Sequence, residues 1–197
     1  KKDGSQSAIS EFREYSMLTP WEFAPFIGFS EKEVKFLCEQ AGMDFMRMKQ
    51  WYDGYSFGGI HSVYNPNSVI RSENHIYASY WQMSSAAQSL LDYVGMDFDG
   101  LADSVIQLLG DVSVPVEVED FENDPRTVKS KDDVLTLLVH FGYLSYDSQM
   151  ETVRIPNEEI RREFARAVRK LTHAETIRRV RESDKLLLDT INLNAEA

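Results

Sequence analysis

The segment Trp51-Tyr52-Asp53-Gly54-Tyr55 constrains the fold more than any other part of the sequence. It sets three aromatic side chains around an Asp-Gly turn, and Tyr64-Asn65-Pro66 and Tyr80-Trp81 follow shortly after it. Aromatic rings bury a large apolar surface, whereas Gly, Asn and Pro hold the backbone in turns. We therefore expect residues 53–68 to form an ordered loop that is pinned to the body of the protein.

This aromatic region has two interpretations. It can be a stacking surface for a nucleobase, or a small core that stiffens a long connection, with Asp53 and Asn65 holding turns. A stacking surface for nucleic acid carries Lys and Arg around it, and the nearby basic residues are few. The small core is the favoured interpretation of the aromatic residues Trp51, Tyr52, Tyr55, Phe57, Tyr64 and Trp81.

Helical spacing of apolar residues dominates the rest of the chain. Ser30-Glu31-Lys32-Glu33 is a capping box, Gly42 ends the helix that follows, and Asp44 is placed to cap the next helix. Residues 143–155 alternate as in a β-hairpin, and Asn157 can cap a helix behind it. The pattern predicts a mainly α fold, with a helical bundle followed by a winged-helix-like helix–hairpin–helix unit.

The formal net charge of −11 argues against nucleic-acid binding by the chain as a whole. Residues 154–185 nevertheless hold ten Lys and Arg against six Asp and Glu. This basic stretch is interpreted mainly as a solvated helix face, with phosphate or partner contact as the alternative. The arginines at its centre are Arg161, Arg162, Arg166 and Arg169.

Cys38 is the only cysteine, so no disulfide can form within the chain, which fits a reducing cytoplasm. Cys38 lies in the apolar stripe of a predicted helix and is interpreted as a core residue. The sequence has no apolar run of the ~18 residues that a transmembrane helix needs. We therefore expect a cytoplasmic location without a membrane partner.

The motifs of two common catalytic centres are missing from the sequence. The glycines from Gly54 to Gly59 include no Lys-Ser or Lys-Thr pair, so there is no phosphate-binding P-loop. The one acidic-x-Lys sequence, Glu33-Val34-Lys35, lies on a capped helix and not on the strand that a metal-dependent nuclease site requires. The four histidines lack metal-ligand spacing, and no catalytic, metal or cofactor residue is predicted.

The order of several segments resembles one bacterial family. These are Phe26 to Val34, the segment from Trp51 to Tyr55, Tyr64 to Pro66, Lys131 to Leu138 and Ile155 to Ile160. In this order they resemble the AAA-ATPase-like proteins of bacteria, which usually carry a PD-(D/E)xK nuclease-like domain behind the ATPase. The chain departs from the family at Gln82-Met83-Ser84-Ser85, where a threonine is expected, so no role of that threonine is carried over.

The resemblance implies an architecture for the whole chain. Residues 1–20 would lead in from an upstream P-loop core, and residues 21–118 would form a helical lid-like subdomain that includes the aromatic loop. Residues 119–131 would be a linker, and residues 132–197 a winged-helix-like subdomain with a trailing helix. ATP and magnesium are implied for the parent protein and not for this fragment.

Three functions are therefore carried forward. The first is a non-catalytic lid and connector that relays the nucleotide state from the upstream P-loop core to the downstream nuclease-like domain. The second is a nucleic-acid-binding module that acts through the basic helices after Pro156, and binding should then be sensitive to salt. The third is a protein–protein interaction module centred on the segment from Trp51 to Tyr55, which requires Trp51 and Tyr55 to be exposed.

Overall fold

The computed structural model describes residues 15–80, 100–119, 121 and 128–169. In these ranges helices alternate with two three-stranded antiparallel sheets. The prediction of a mainly α fold is therefore wrong, and the fold is an α/β mix. The strands are two to five residues long, and such short strands carry little of the period-two alternation by which a strand is recognised in a sequence.

Residues 15–80 form the N-terminal lobe. It contains two 3-10 turns, three strands and three helices, with the strands in the spatial order β1-β3-β2. Along the chain the elements are the 3-10 turn Trp21–Phe26, β1 (Phe29–Ser30), α1 (Glu31–Ala41), α2 (Phe45–Tyr52), β2 (Tyr55–Phe57), β3 (Ile60–Tyr64), α3 (Pro66–Arg71) and the 3-10 turn Ser72–Asn74.

The helix ends of this lobe follow from local sequence. The Ser30 hydroxyl accepts a hydrogen bond from the Glu33 amide, and the Glu33 carboxylate accepts one from the Ser30 amide at 2.8 Å, which confirms the capping box. Gly42 ends α1 in the left-handed conformation, and the Asp44 carboxylate accepts two backbone hydrogen bonds at the start of α2. The predicted limits of both helices are confirmed.

The predicted loop at residues 53–68 contains a β-hairpin that the sequence analysis missed. Gly58 and Gly59 both have positive φ, 56° and 84°, as a two-residue type I′ turn requires. Strand β3 pairs with β2 across this turn, and the other edge of β3 pairs with β1. A Gly-Gly pair is a turn signal, but only five residues lie between it and Asn65, and so short a segment does not show the alternation of a strand clearly.

Residues 100–119, 121 and 128–169 form the C-terminal lobe. Its sheet has the order β4-β6-β5, so the strand before the long helix pairs with the far strand of the predicted hairpin. The elements are α4 (Leu101–Leu109), β4 (Val114–Pro115), α5 (Lys131–His140), β5 (Ser145–Asp147), β6 (Thr152–Arg154) and a helix over residues 158–169, here α6.

One apolar core fills the C-terminal lobe. Helix α4, grouped by the sequence analysis with the first subdomain, contributes Leu101, Val105 and Leu108 to the same core as α5 and α6. The predicted hairpin and the Asn157 cap are confirmed, since Tyr146 pairs with Val153 and the Asn157 side chain accepts from the Ile160 amide at 3.1 Å. The trailing helix predicted after residue 170 lies outside the described residues.

The two lobes contact each other along the outer edges of their sheets. Strand β2 lies beside β5, and the Ser56 amide donates to the Ser145 hydroxyl at 3.1 Å. The acceptor is a side chain and not a backbone carbonyl, so the two sheets meet without becoming one. Across the described ranges, no helix has both the length and the apolar character needed to cross a membrane.

Candidate functional site

The segment from Trp51 to Tyr55 forms the end of α2, a sharp turn and the start of β2. Its aromatic side chains are buried, with relative exposures of 6% for Trp51, 0% for Tyr52 and 6% for Tyr55. Asp53 is extended, and its carboxylate accepts a hydrogen bond from the next amide, that of Gly54, at 2.6 Å. The segment therefore lies against the interior of the protein and not on its surface.

Gly54 permits the closest approach between the lobes. Its φ is 106°, a conformation that residues with a side chain rarely adopt. A Cβ atom built on Gly54 would overlap the carbonyl oxygen of Pro156 in the C-terminal lobe. Only glycine satisfies both conditions, so this position joins the turn of one lobe to the backbone of the other.

Four hydrogen bonds surround this approach, and we call them the clasp. The Tyr55 hydroxyl donates to the Gly142 carbonyl at 2.7 Å, and the Ser56 amide donates to Ser145. The other two bonds come from the opposite lobe: Arg154 Nη2 donates to the Gly54 carbonyl at 2.8 Å, and Asn157 Nδ2 donates to the Asp53 carbonyl at 2.9 Å. The clasp therefore joins residues 53–56 to residues 142–157.

Removing the Tyr55 hydroxyl tests the buried part of the clasp. Burial raises the pKa of the Tyr55 phenol well above its usual value, so the group stays protonated and donates across the pH range of most assays. We expect Tyr55→Phe to lower the free energy of unfolding by about 1–2 kcal/mol, because the Gly142 carbonyl loses its donor. Urea denaturation followed by tryptophan fluorescence measures this loss.

Tyr77→Phe is the matched control for that substitution. The Tyr77 hydroxyl also donates to a backbone carbonyl, that of Asp44, but at 3.2 Å and at an exposed position. Its loss should change stability by less than about 0.5 kcal/mol. Equal effects of the two substitutions would show that the clasp adds no more than a surface contact does.

The remaining aromatic residues of the motif region are also buried within the chain. The Tyr52 hydroxyl exchanges two hydrogen bonds of 3.1 Å with the Ala78 backbone, and the Arg162 guanidinium lies 4.3 Å from the Trp51 ring centroid. Tyr64 is fully buried, and desolvation together with the Asp53 carboxylate raises its pKa. These contacts are those of a buried structural cluster.

The turn residues after Tyr64 start a helix. Asn65 caps α3, where its side chain accepts from the Asn67 amide at 3.0 Å, and Pro66 occupies the first turn. Asn65 and Pro66 therefore act on the local backbone, where they start α3. Trp81, the last member of the motif set, lies outside the described residues.

A second set of contacts between the lobes was missed by the sequence analysis. Glu159 is fully buried on α6 and accepts from the Ser68 hydroxyl at 2.8 Å and from the Tyr80 amide at 2.7 Å. Glu163, one turn later, accepts from the Ser79 hydroxyl at 2.5 Å. We call Glu159 and Glu163 the carboxylate pair.

One signal in the sequence points to this pair. Glu159 and Glu163 have i,i+4 spacing, and two like charges at that spacing destabilise an exposed helix. Their presence is consistent with burial against hydrogen-bond donors from another part of the chain. The sequence does not reveal the donors, because Ser68 and Ser79 are 91 and 84 positions away from their partners.

The four arginines of the basic stretch all make contacts within the chain. Arg161 donates to the Leu109 carbonyl at 2.7 Å and pairs with Asp111, and Arg162 donates to Glu158 at 2.8 Å. The others make contacts along their own helix: Arg166 donates to Glu163 at 2.8 Å, and Arg169 donates to the Ala165 carbonyl at 3.2 Å.

The comparisons with known proteins identify no relative. No protein-family model, curated protein or solved structure matches this chain. The site must therefore be interpreted from its own geometry and from the motifs quoted above.

The lobe junction brings together hydrogen-bonding groups from both lobes. Within the described parts of the chain, no group of three or more His, Cys, Asp or Glu is arranged to hold a metal ion. Ser56 Oγ lies 3.1 Å from His61 Nδ1, a hydroxyl–imidazole pair across the β2–β3 hairpin. An activated nucleophile also needs a group that orients the imidazole, and no described carboxylate hydrogen-bonds to His61.

Proposed function

We propose that this chain is the non-catalytic lid and connector of a cytoplasmic AAA-ATPase-like protein. In this proposal it carries the nucleotide state of an upstream P-loop core to a downstream nuclease-like domain. The order of the family-like motifs supports the placement in the architecture. The clasp supports the mechanical role, and it is the observation that carries the proposal.

A connector of this kind must move as one body. Coupling between distant sites needs an element with discrete arrangements, and a freely flexible joint would absorb the motion. The clasp and the carboxylate pair fix the two lobes at separate places, through backbone groups near Gly54 and through α6. A rotation or shift of the N-terminal lobe would then move the C-terminal lobe with it.

The two alternative functions receive less support from the geometry. Arg161, Arg162 and Arg166 are engaged by acidic side chains of the same chain, so a phosphate backbone would have to compete with these pairs. Trp51 and Tyr55 are buried, and an interaction surface centred on them needs them exposed.

Nucleotide binding is the direct test of the proposal. Calorimetry with ATP and magnesium would be run on this chain and on a longer polypeptide that extends upstream through the P-loop core. We expect binding by the longer polypeptide only. Tight ATP binding or ATP turnover by this chain alone would refute a non-catalytic connector.

The relay itself requires a second readout. Fluorophores in the P-loop core and in the C-terminal lobe of the longer polypeptide should show an ATP-dependent change in energy transfer. Asn157→Ala removes the clasp bond to Asp53 together with the cap of α6, and it should reduce that change while ATP affinity stays within about twofold. The matched control is Asn74→Ala at an exposed position, and an undiminished change in the Asn157 variant would argue against the relay.

A further inference from the structure

A cavity lies at the junction of the lobes, beside the clasp. Its volume is about 210 Å³, and its walls come from the β2–β3 hairpin, the chain before β1 and the end of α5. The apolar part of the wall includes Met17, Ile27, Tyr55, Phe57, Val63 and Phe141.

The aromatic rings in the cavity wall favour a flat ligand. The Tyr55 and Phe57 side chains follow each other at i,i+2 on β2, so they lie on the same face of the strand. Their rings are nearly parallel, with an interplanar angle of 6° and centroids 6.3 Å apart. An enclosed apolar cavity of about 150 Å³ accepts benzene, and this cleft, which is open to solvent on one side, has room for a fused two-ring system.

The electrostatics of the cavity favour a neutral ligand. Among the described residues that line it, none is Lys, Arg, Asp or Glu. A phosphate or carboxylate bound in this open cleft would lose part of its hydration and gain no cationic partner, which disfavours it. A nucleotide is therefore disfavoured, whereas an uncharged ring is not.

His140 is among the residues that line the cavity. Burial lowers the pKa of its imidazole below the usual value, so the ring is neutral at pH 7, with one nitrogen donating and the other accepting. One ring face stacks on Phe121 at 5.7 Å between centroids. In the described part of the chain neither ring nitrogen forms a hydrogen bond, so the imidazole can pair with a heteroatom of a ligand.

We propose that this cavity binds a small, neutral, bicyclic heteroaromatic compound. Its ring system lies against Tyr55 and Phe57, and one of its heteroatoms hydrogen-bonds to His140. A bound ring contacts both lobes at once, so it also stabilises the docked arrangement of the lobes. This site stands independently of the proposed connector function.

Binding of two bicyclic probes to the full chain tests the proposal. Indole offers a donor and adenine offers both donors and acceptors, and isothermal calorimetry or chemical-shift mapping would be used. We expect at least one of them to bind saturably with a Kd below about 1 mM. Charged 1-naphthalenesulfonate and non-planar cyclohexanol should bind at least about tenfold more weakly.

Variants of the cavity wall separate this site from surface adsorption. Met17→Trp and Ile27→Trp fill the cavity from two different sides and should abolish binding. His140→Phe keeps a ring but removes the hydrogen bond, so it should weaken binding about fivefold or more. His61→Phe is the control, since His61 lies on the hairpin and does not line the cavity, and its affinity should stay within about twofold of the parent chain.

Three results would overturn the proposal. One is the absence of saturable binding by both probes to a chain that unfolds cooperatively and is therefore folded. A second is an unchanged affinity in His140→Phe and also in one of the two tryptophan variants, provided that this tryptophan variant is folded. Preferential binding of the charged or the non-planar compound would equally exclude the proposed ligand class.

Discussion

Gly54→Ala is expected to lower the free energy of unfolding by at least about 4 kcal/mol, a large part of the 5–15 kcal/mol that stabilises a typical domain. The backbone at this position has a φ of 106°, and forcing alanine into it costs about 1–3 kcal/mol. The new Cβ overlaps the Pro156 carbonyl, which separates the lobes at their closest point. That separation also removes the hydrogen bonds from Arg154 and Asn157, at about 1 kcal/mol each.

Gly59→Ala provides the matched control for Gly54→Ala. Gly59 also has a positive φ, 84°, but a Cβ there meets no atom within 4 Å. Its substitution should cost only the backbone strain, about 1–2 kcal/mol. Urea denaturation monitored by circular dichroism compares the two variants. A loss in Gly54→Ala no greater than that in Gly59→Ala would mean that the lobes do not depend on this close approach.

Glu159→Ala is expected to cost about 3–4 kcal/mol of unfolding free energy. The carboxylate is fully buried and receives the Ser68 hydroxyl and the Tyr80 amide. Removing it leaves two buried donors unsatisfied and a cavity between α6 and the N-terminal lobe. Glu159→Gln should lose less, because the amide oxygen still accepts one of the two hydrogen bonds while its NH2 group faces the other donor.

Glu39→Ala is the control for the carboxylate pair, since Glu39 is an exposed acidic residue in the last turn of α1. Its substitution should change stability by less than about 0.5 kcal/mol. Thermal unfolding at fixed pH would rank the three variants. If Glu159→Ala and Glu39→Ala unfold at the same temperature, the second set of contacts between the lobes does not contribute to stability.

Features set by neighbouring residues were predictable from the sequence. The Ser30 capping box, the Gly42 stop and the Asn157 cap each depend on groups within a few positions of each other. Asp44 and Asn65 cap helices for the same reason. The interpretation of the aromatic region as a small core was based on composition alone, and the burial of Tyr52 and Tyr64 agrees with this interpretation.

Features set by distant residues were not predictable. The Tyr55 hydroxyl meets a carbonyl 87 positions away, and Ser68 meets a carboxylate 91 positions away. No local pattern encodes such pairs, because each residue has an ordinary local role: Tyr55 starts a short strand and Glu159 lies in the first turn of a helix. The β2–β3 hairpin was missed for a related reason, since its strands are too short to display their period.

The side-by-side placement of β2 and β5 has a consequence for solubility. Each strand is the outer edge of its own sheet, and an open edge is a template on which another chain can add a strand. Here each strand covers the open edge of the other, so neither edge is free to pair with a strand of another molecule. Loss of the clasp bonds would expose both strand edges at once. Strand pairing between molecules would then compete with re-formation of the contact between the lobes.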